Sequence, residues 1–312
     1  MKKTAIFRIL SALLALLLLL PLGACSKYRL EMSTEREARA VLTLDGQEVA
    51  FELLYFFYHN TPSDATHEEK LAASLREICD LYAILNVTKQ HGLDPYSGEL
   101  AESLDALVRE TIDEFPARAD YIDSLKKAHM TDTVYRLLLL SQIARNRLLE
   151  PEDGVSLVSD EKILAYCQRE DVIRVMALIV EFDESILSWA ENRAEALHAS
   201  VTADNTDSGF MHIADSRATG AEEHRYMLAS QWMDLTGSTE PPVRGEISAP
   251  LFSYNNFLIL RVGVKDMDYV QANTEELLPA YMEHLVYLES ERLADTLVTN
   301  EVYAALTAED FR

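Results

Sequence analysis

Val172-Ile-Arg-Val-Met-Ala-Leu-Ile-Val-Glu-Phe182 is a β-rich run that stays apolar at both odd and even positions. An edge or half-solvated strand alternates polar with apolar residues, so a run of this kind reads as a central strand with both faces covered. A short helix over about Ser159 to Arg169 leads into it. An amphipathic helix over 185–200 follows, with Ile186, Trp189, Ala190, Arg193, Ala194, Leu197 and His198 near one stripe. Gly209 to Ser216 reads as another short helix and Met227 to Trp232 as a strand. Gly245 to Ser248 and Asn256 to Val262 read as the closing turn and strand. The region 156–269 is therefore a small α+β block.

The sequence before that block has a different character. Ala40 to Val49 alternates and carries Asp45-Gly46, a strong hairpin signal, and Phe51 to His59 follows as a strongly apolar helix. A long helix is expected from a cap near Asp64–Glu68 to His91-Gly92. Others are expected from about Gly98 to Glu114 and from about Ala117 to Leu149, with Pro116 marking the break. Thr274 to about Leu306 reads as one long C-terminal helix. A lone terminal helix cannot bury its own apolar stripe, so it should return to the N-terminal helices. The expected fold class is α+β and mainly helical: a helical domain from 40–155 with 270–312, and the α+β domain 156–269 inserted in it. The length, 312 residues, agrees with two domains.

At the N-terminus, Lys2, Lys3 and Arg8 precede an unbroken apolar stretch from Ile9 to Leu20, which ends in Leu22-Gly23-Ala24-Cys25. This has the parts of a secretory signal and is too short for a comfortable permanent span. Leu-Gly-Ala-Cys resembles the lipobox of bacterial lipoproteins. That resemblance implies cleavage after residue 24, diacylation of the Cys25 thiol, a tether over 25–39 and an extracytoplasmic, lipid-anchored location. The chain carries 28 basic and 52 acidic residues, a net charge of −24. Loss of residues 1–24 removes three cations and makes it more acidic still. Nucleic-acid binding is excluded as a function class, because phosphate contacts need clustered Lys and Arg. Cys79 and Cys167 read as two buried free thiols, with a disulfide as the alternative in an oxidising compartment. Neither they nor the histidines have zinc-ligand spacing, and no nucleotide, metal or other cofactor motif is present.

The layout resembles that of the extracytoplasmic foldases of the PrsA and SurA type. In those proteins a helical chaperone domain opens with a V-x-x-V-N-G-x-x-I segment, and a parvulin-type peptidyl-prolyl isomerase domain is followed by a returning helix. Val41-Leu-Thr-Leu-Asp45-Gly46-Gln-Glu-Val49 is similar to that opening. Gly209-Phe-Met-His-Ile-Ala-Asp-Ser216 is similar to F-x-x-L-A-x-x-S, and Arg244-Gly-Glu-Ile-Ser-Ala-Pro250 to x-G-E-V-S-x-P. Tyr254 to Arg261 is similar to G-Y-H-I-I-K. The departures bear on activity. The resemblance places Ala177 where the first strand of the family carries a histidine, and Phe257 where the last strand carries another. The Gly-Gly-Asp-Leu-Gly segment is absent, and no Cys or acid supplies the third polar member.

The resemblance thus implies a folding helper that binds unfolded exported chains at the membrane, with a degenerate isomerase domain. Trp232, Met233, Phe252 and Phe257 are the candidate lining of the remnant prolyl pocket, and Tyr55 and Phe56 the candidate client contacts on the helical domain. The alternatives are an active isomerase with a non-standard site drawn from His198, His212 and His224, and a non-catalytic interaction module of an envelope complex.

Overall fold

A computed structural model describes residues 27–61, 65–149, 158–182, 187–253 and 256–312. The signal-peptide reading of residues 1–24 and the lipidation reading of Cys25 lie outside the described residues. Among those described, no helix is long and apolar enough to cross a membrane. The fold is mainly helical α+β and divides into two compact units. One comprises the chain up to Glu150 with Val286–Arg312, and the other is Pro151–Leu285.

In the first unit, β1 (Ala40–Leu44) and β2 (Gln47–Ala50) form an antiparallel hairpin. Asp45 and Gly46 both take positive φ, +50° and +78°, as a two-residue turn matched to strand twist requires. Five helices follow: α1 (Phe51–Asn60), α2 (His67–Gln90), α3 (Gly98–Asp113), α4 (Arg118–Lys127) and α5 (Asp132–Leu149). Helix α2 starts on a capping box in which the Thr66 hydroxyl accepts from the Glu69 amide and the Glu69 carboxylate accepts from the Thr66 amide at 2.7 Å. The single helix expected over 117–149 is two. His129 adopts φ +54°, and the Met130 and His129 amides donate to the Leu125 and Lys126 carbonyls, a Schellman closure that ends α4 without a glycine.

The second unit opens with α6 (Asp160–Gln168) and contains a four-stranded antiparallel sheet of order β4-β3-β6-β5. Its strands are β3 (Val172–Glu181), β4 (Gly220–Leu228), β5 (Leu251–Ser253) and β6 (Asn256–Gly263). Between β3 and β4 run α7 (Leu187–Ala203) and α8 (Asp207–Arg217), and α9 (Ala229–Thr236) follows β4. The strand expected over Met227–Trp232 is thus the end of β4 and the start of α9. β3 is central, as its unbroken apolar run demands. Met176, Leu178 and Val180 pack with α7 and α8 on one face, and Val175 and Ala177 with Trp232 of α9 on the other.

After α10 (Met267–Ala272) and a 3₁₀ turn, α11 (Leu278–Thr296) passes from the second unit's residues into the first's. It stops ten residues short of the helix end expected near Leu306. Val298–Thr299 instead form β7, which pairs with β1, and Asn300 caps the short α12 (Glu301–Ala304). Strand pairing with Leu42 and Thr43 wins over continued helix at two β-branched residues. Cys79 and Cys167 are buried free thiols, one in each unit, and burial pushes both up to about 11.

His284 on α11 is buried and stacked on Tyr166, with ring centroids 4.6 Å apart. Its Nε2 lies 3.3 Å from Nη1 of Arg169, and its Nδ1 has no partner. Burial, then the Arg169 charge, pushes its pKa from 6.5 to about 4. The unfolded chain therefore takes up a proton between pH 6.5 and 4 that the folded chain refuses. Stability falls as pH falls through that window, by about 3 kcal/mol from this group once below it. Urea unfolding at pH 7 and pH 4, read from Trp189 and Trp232 in this unit, should show the loss. His284→Phe should reduce it by about that amount.

Candidate functional site

The sheet of the second unit has one face sealed by α7 and α8 and one only partly covered. Ile173, Val175, Ala177 and Ile179 of β3 alternate toward the second face, where Leu258, Leu260 and Val262 of β6 join them. Trp232, fully buried, covers Val175 and Ala177, while Ile173, Ile179, Leu251 and Leu258 remain half-buried. The result is an apolar strip on the sheet beside α9.

Ala177, expected at the first degenerate position, is fully buried on this face. Phe257 is not on it. It pairs with Val180 and points to the opposite side, where its ring lies 5.4 Å from Phe182 and 5.5 Å from Phe252. The β6 residues that share a face with Ala177 are Leu258, opposite Ile179, and Leu260, opposite Ala177 itself. In a strand one residue reverses the face, so Ala177 and Phe257 do not share one.

The four residues expected to line one pocket do not come together. Trp232 and Phe257 lie on opposite faces of the sheet and both are buried, so neither is available to a client as proposed. Met233 is half-buried on α9. Phe252 is 61% exposed but packs toward the Phe257 side. The three histidines do not converge either. His198 and His212 are on α7 and α8, which cover the sealed face, and His224 on β4 stacks on Tyr269 with ring centroids 3.5 Å apart. Burial, then the Arg174 charge, lowers the His224 pKa. Ser216 Oγ donates to the His212 main-chain carbonyl at 2.6 Å, an ordinary helix back-bond. Among the described residues no group of three His, Cys, Asp or Glu side chains is placed to hold a metal ion.

The first unit has its own concavity, a cavity of about 340 Å³. Phe51, Glu52 and Tyr55 of α1 form one wall, and Lys126, His129 and Thr131 around the α4–α5 turn form another. The left-handed His129 is what turns its imidazole onto His59, with centroids 3.9 Å apart and planes within 5°. Burial, then the neighbouring His129, lowers the His59 pKa. Glu52 is buried and accepts from Ser33 Oγ at 2.5 Å and Thr131 Oγ1 at 2.6 Å. Of the two expected client contacts here, Tyr55 lines the cavity, while Phe56 packs edge-on against Phe57 and the core. Glu52, His129 and Thr131 carried no recognisable signal in the sequence, because only the fold of α4 and α5 brings them to α1.

No protein-family model matches the chain, and no curated protein matches it. Solved structures with a likeness to it include PrsA from Bacillus subtilis, 14% identical with a TM-score of 0.27 over 83% of this chain and 93% of that one. A peptidylprolyl isomerase (PrsA) from Bacillus anthracis is 13% identical, with a TM-score of 0.28 over 72% of this chain and 99% of that one. Foldase protein PrsA from Streptococcus pneumoniae is 14% identical, with a TM-score of 0.25 over 85% of this chain and 97% of that one.

The different placements of Trp232 and Phe252 separate in a stability measurement. Trp232→Ala should destabilise the second unit by about 3–5 kcal/mol, as a large ring removed from a packed core does. Phe252→Ala should cost about 1 kcal/mol or less. Urea unfolding followed by circular dichroism measures both.

Proposed function

We propose that this chain is a membrane-anchored extracytoplasmic folding factor that binds unfolded exported polypeptides without ATP and has little or no prolyl isomerase activity. The observation that carries this reading is the partly open sheet face. A catalyst of X-Pro rotation must lower a barrier of ~18–20 kcal/mol by favouring the twisted amide over both planar forms. The side chains on that face, Ala177, Leu258, Leu260 and Trp232, offer no hydrogen bond or charge suited to that task except an indole N–H buried in the core. The half-buried Ile179, Leu251 and Leu258 do offer apolar surface, which binds extended chains without regard to exact sequence. The cavity beside Tyr55, lined by both aromatic and charged residues, is a second concave surface on the helical unit. Leu22-Gly-Ala-Cys25 supports an address where exported chains emerge unfolded and ATP is absent.

Protein lacking residues 1–25 should suppress aggregation of a denatured client at a few-fold molar excess, and Leu258→Asp should weaken that effect several-fold. A protease-coupled proline-peptide assay should show no acceleration above background. Unchanged client aggregation at several-fold excess, or rapid prolyl isomerisation, overturns the reading.

A further inference from the structure

Phe51, Tyr55 and Tyr58 lie at i, i+4 and i+7 on α1 and so share one stripe of that helix. A single ring from far along the chain is seated on the stripe. Phe311 stacks on Tyr58 with centroids 3.9 Å apart and on Tyr55 at 6.1 Å, lies 5.4 Å from Phe51, and meets the His67 ring edge-on at 5.9 Å. It is 2% exposed. Its neighbours in sequence are exposed or half-buried, with Leu306 packed against the core: among residues 304–312, Phe311 alone is buried. It ends a four-residue 3₁₀ turn, Ala308–Phe311, whose capping bonds between Thr307 and Asp310 are internal to the turn. The contacts from outside the turn that accompany the ring are Arg36, which donates to the Asp310 carbonyl at 2.6 Å and lies 3.7 Å from its carboxylate, and the His59 imidazole, which donates to the Phe311 main-chain carbonyl.

A segment held by one buried ring, one guanidinium and one imidazole opens more readily than the helices around it, since local opening free energy follows the apolar contacts a segment makes. The cage it fills does not end at Phe311. Phe51 and Tyr55 also line the 340 Å³ cavity, whose rim includes Arg36 and Arg312. Space for more of an extended chain therefore continues from the seat of the ring.

We infer that the aromatic cage on α1 is a binding site for an aromatic side chain carried on an extended client segment, and that Thr307–Arg312 occupies it as an internal ligand which the client displaces. This rests on the reading of the chain as a binder of unfolded polypeptides, and it names the feature recognised: an aromatic residue whose preceding carbonyl, and an acid where present, meets Arg36. The intact chain binds such segments with an affinity reduced by the fraction of molecules in which the cage is open.

The probe is a fluorescein-labelled peptide with the sequence of Ala305–Arg312, titrated by anisotropy into the unchanged chain and into Phe311→Ala. The variant, with its cage emptied, should bind the peptide roughly tenfold or more tighter than the unchanged chain. The same peptide with alanine for its phenylalanine should not bind. Asp310→Ala keeps the ring but removes the turn's cap and its carboxylate pair with Arg36, so it should give an intermediate gain even if Phe311→Ala folds poorly by circular dichroism. Equal affinities for all forms, or no binding to any folded form, overturn the inference. Client aggregation is measured in parallel: peptide binding without client holding leaves the cage standing and overturns the folding-factor reading, and client holding without any gain in peptide affinity does the reverse.

Discussion

Asp207, at the start of α8, places one carboxylate against two buried guanidinium groups. It contacts Arg261 of β6 directly and lies 3.8 Å from Arg174 of β3. Both arginines have further partners: Arg174 donates to the Glu223 and Val264 carbonyls and the Glu223 carboxylate, and Arg261 to Asn205 and the Val262 carbonyl. Desolvating charges is expensive, and the arrangement holds because most of these donors find a partner; removing one member of such a set typically costs about 3–5 kcal/mol. Gly263 makes the approach possible, since a Cβ there would come within 3.2 Å of Met176 and 3.4 Å of the Asp207 carboxylate. The joint ties the start of α8 to β3 and β6, while α7 and α8 cover one face of the sheet. The face left to α9 alone is the one on which the functional reading depends.

The helical unit is organised by a comparable polar joint between distant segments. Arg292 on α11 donates to Asp45 at the tip of the hairpin and to Glu289 one turn earlier, and Glu289 in turn accepts from Asn86 on α2. The Arg292 and Asn86 contacts hold the Glu289 carboxylate below the usual carboxylate range. A turn, a long helix and the returning helix are thus registered against one another at a point where the apolar core alone would permit sliding. The core does the rest, with Leu54, Ile78, Ala83 and Leu293 among its buried members.

Much of this was legible in the residues. β3 was read to within a residue at both ends because a strand buried on two faces needs apolar residues at odd and even positions alike, and Val175–Val180 supplies them. Asp45-Gly46 gave away the hairpin because few pairs tolerate two left-handed conformations. β4 was missed for a physical reason: it is an edge strand, and Ala221-Glu-Glu-His-Arg225 shows the polarity of a solvated edge, with a bulge opposite Met176 that breaks the alternation. The loss of β4 pushed the reading of Trp232 from core helix to strand. Phe257 does not join Trp232 in one pocket because the pleat assigns neighbouring residues to opposite sides, which a motif match does not show. The chain after Thr296 was misread since helix propensity says nothing of a strand partner more than 250 residues away. The aromatic cage had half its signal in FELLYFFYH; its other half, Phe311, sits in a stretch whose local pattern is unremarkably polar.

The pairing of β1 with β7 has a consequence for how the chain becomes folded. Leu42 and Thr43 find their partners at Thr299 and Val298, and the whole of Pro151–Leu285 is made between them. Contacts of such sequence separation form late, because the loop they close is long. A chain emerging from its N-terminus presents β1 with one edge unpaired until the last few residues appear, while the interrupting unit has all of its strands in hand much sooner. The order of completion is therefore built into the topology: the insert can finish first, and the unit that encloses it in sequence is closed by its final two-residue strand.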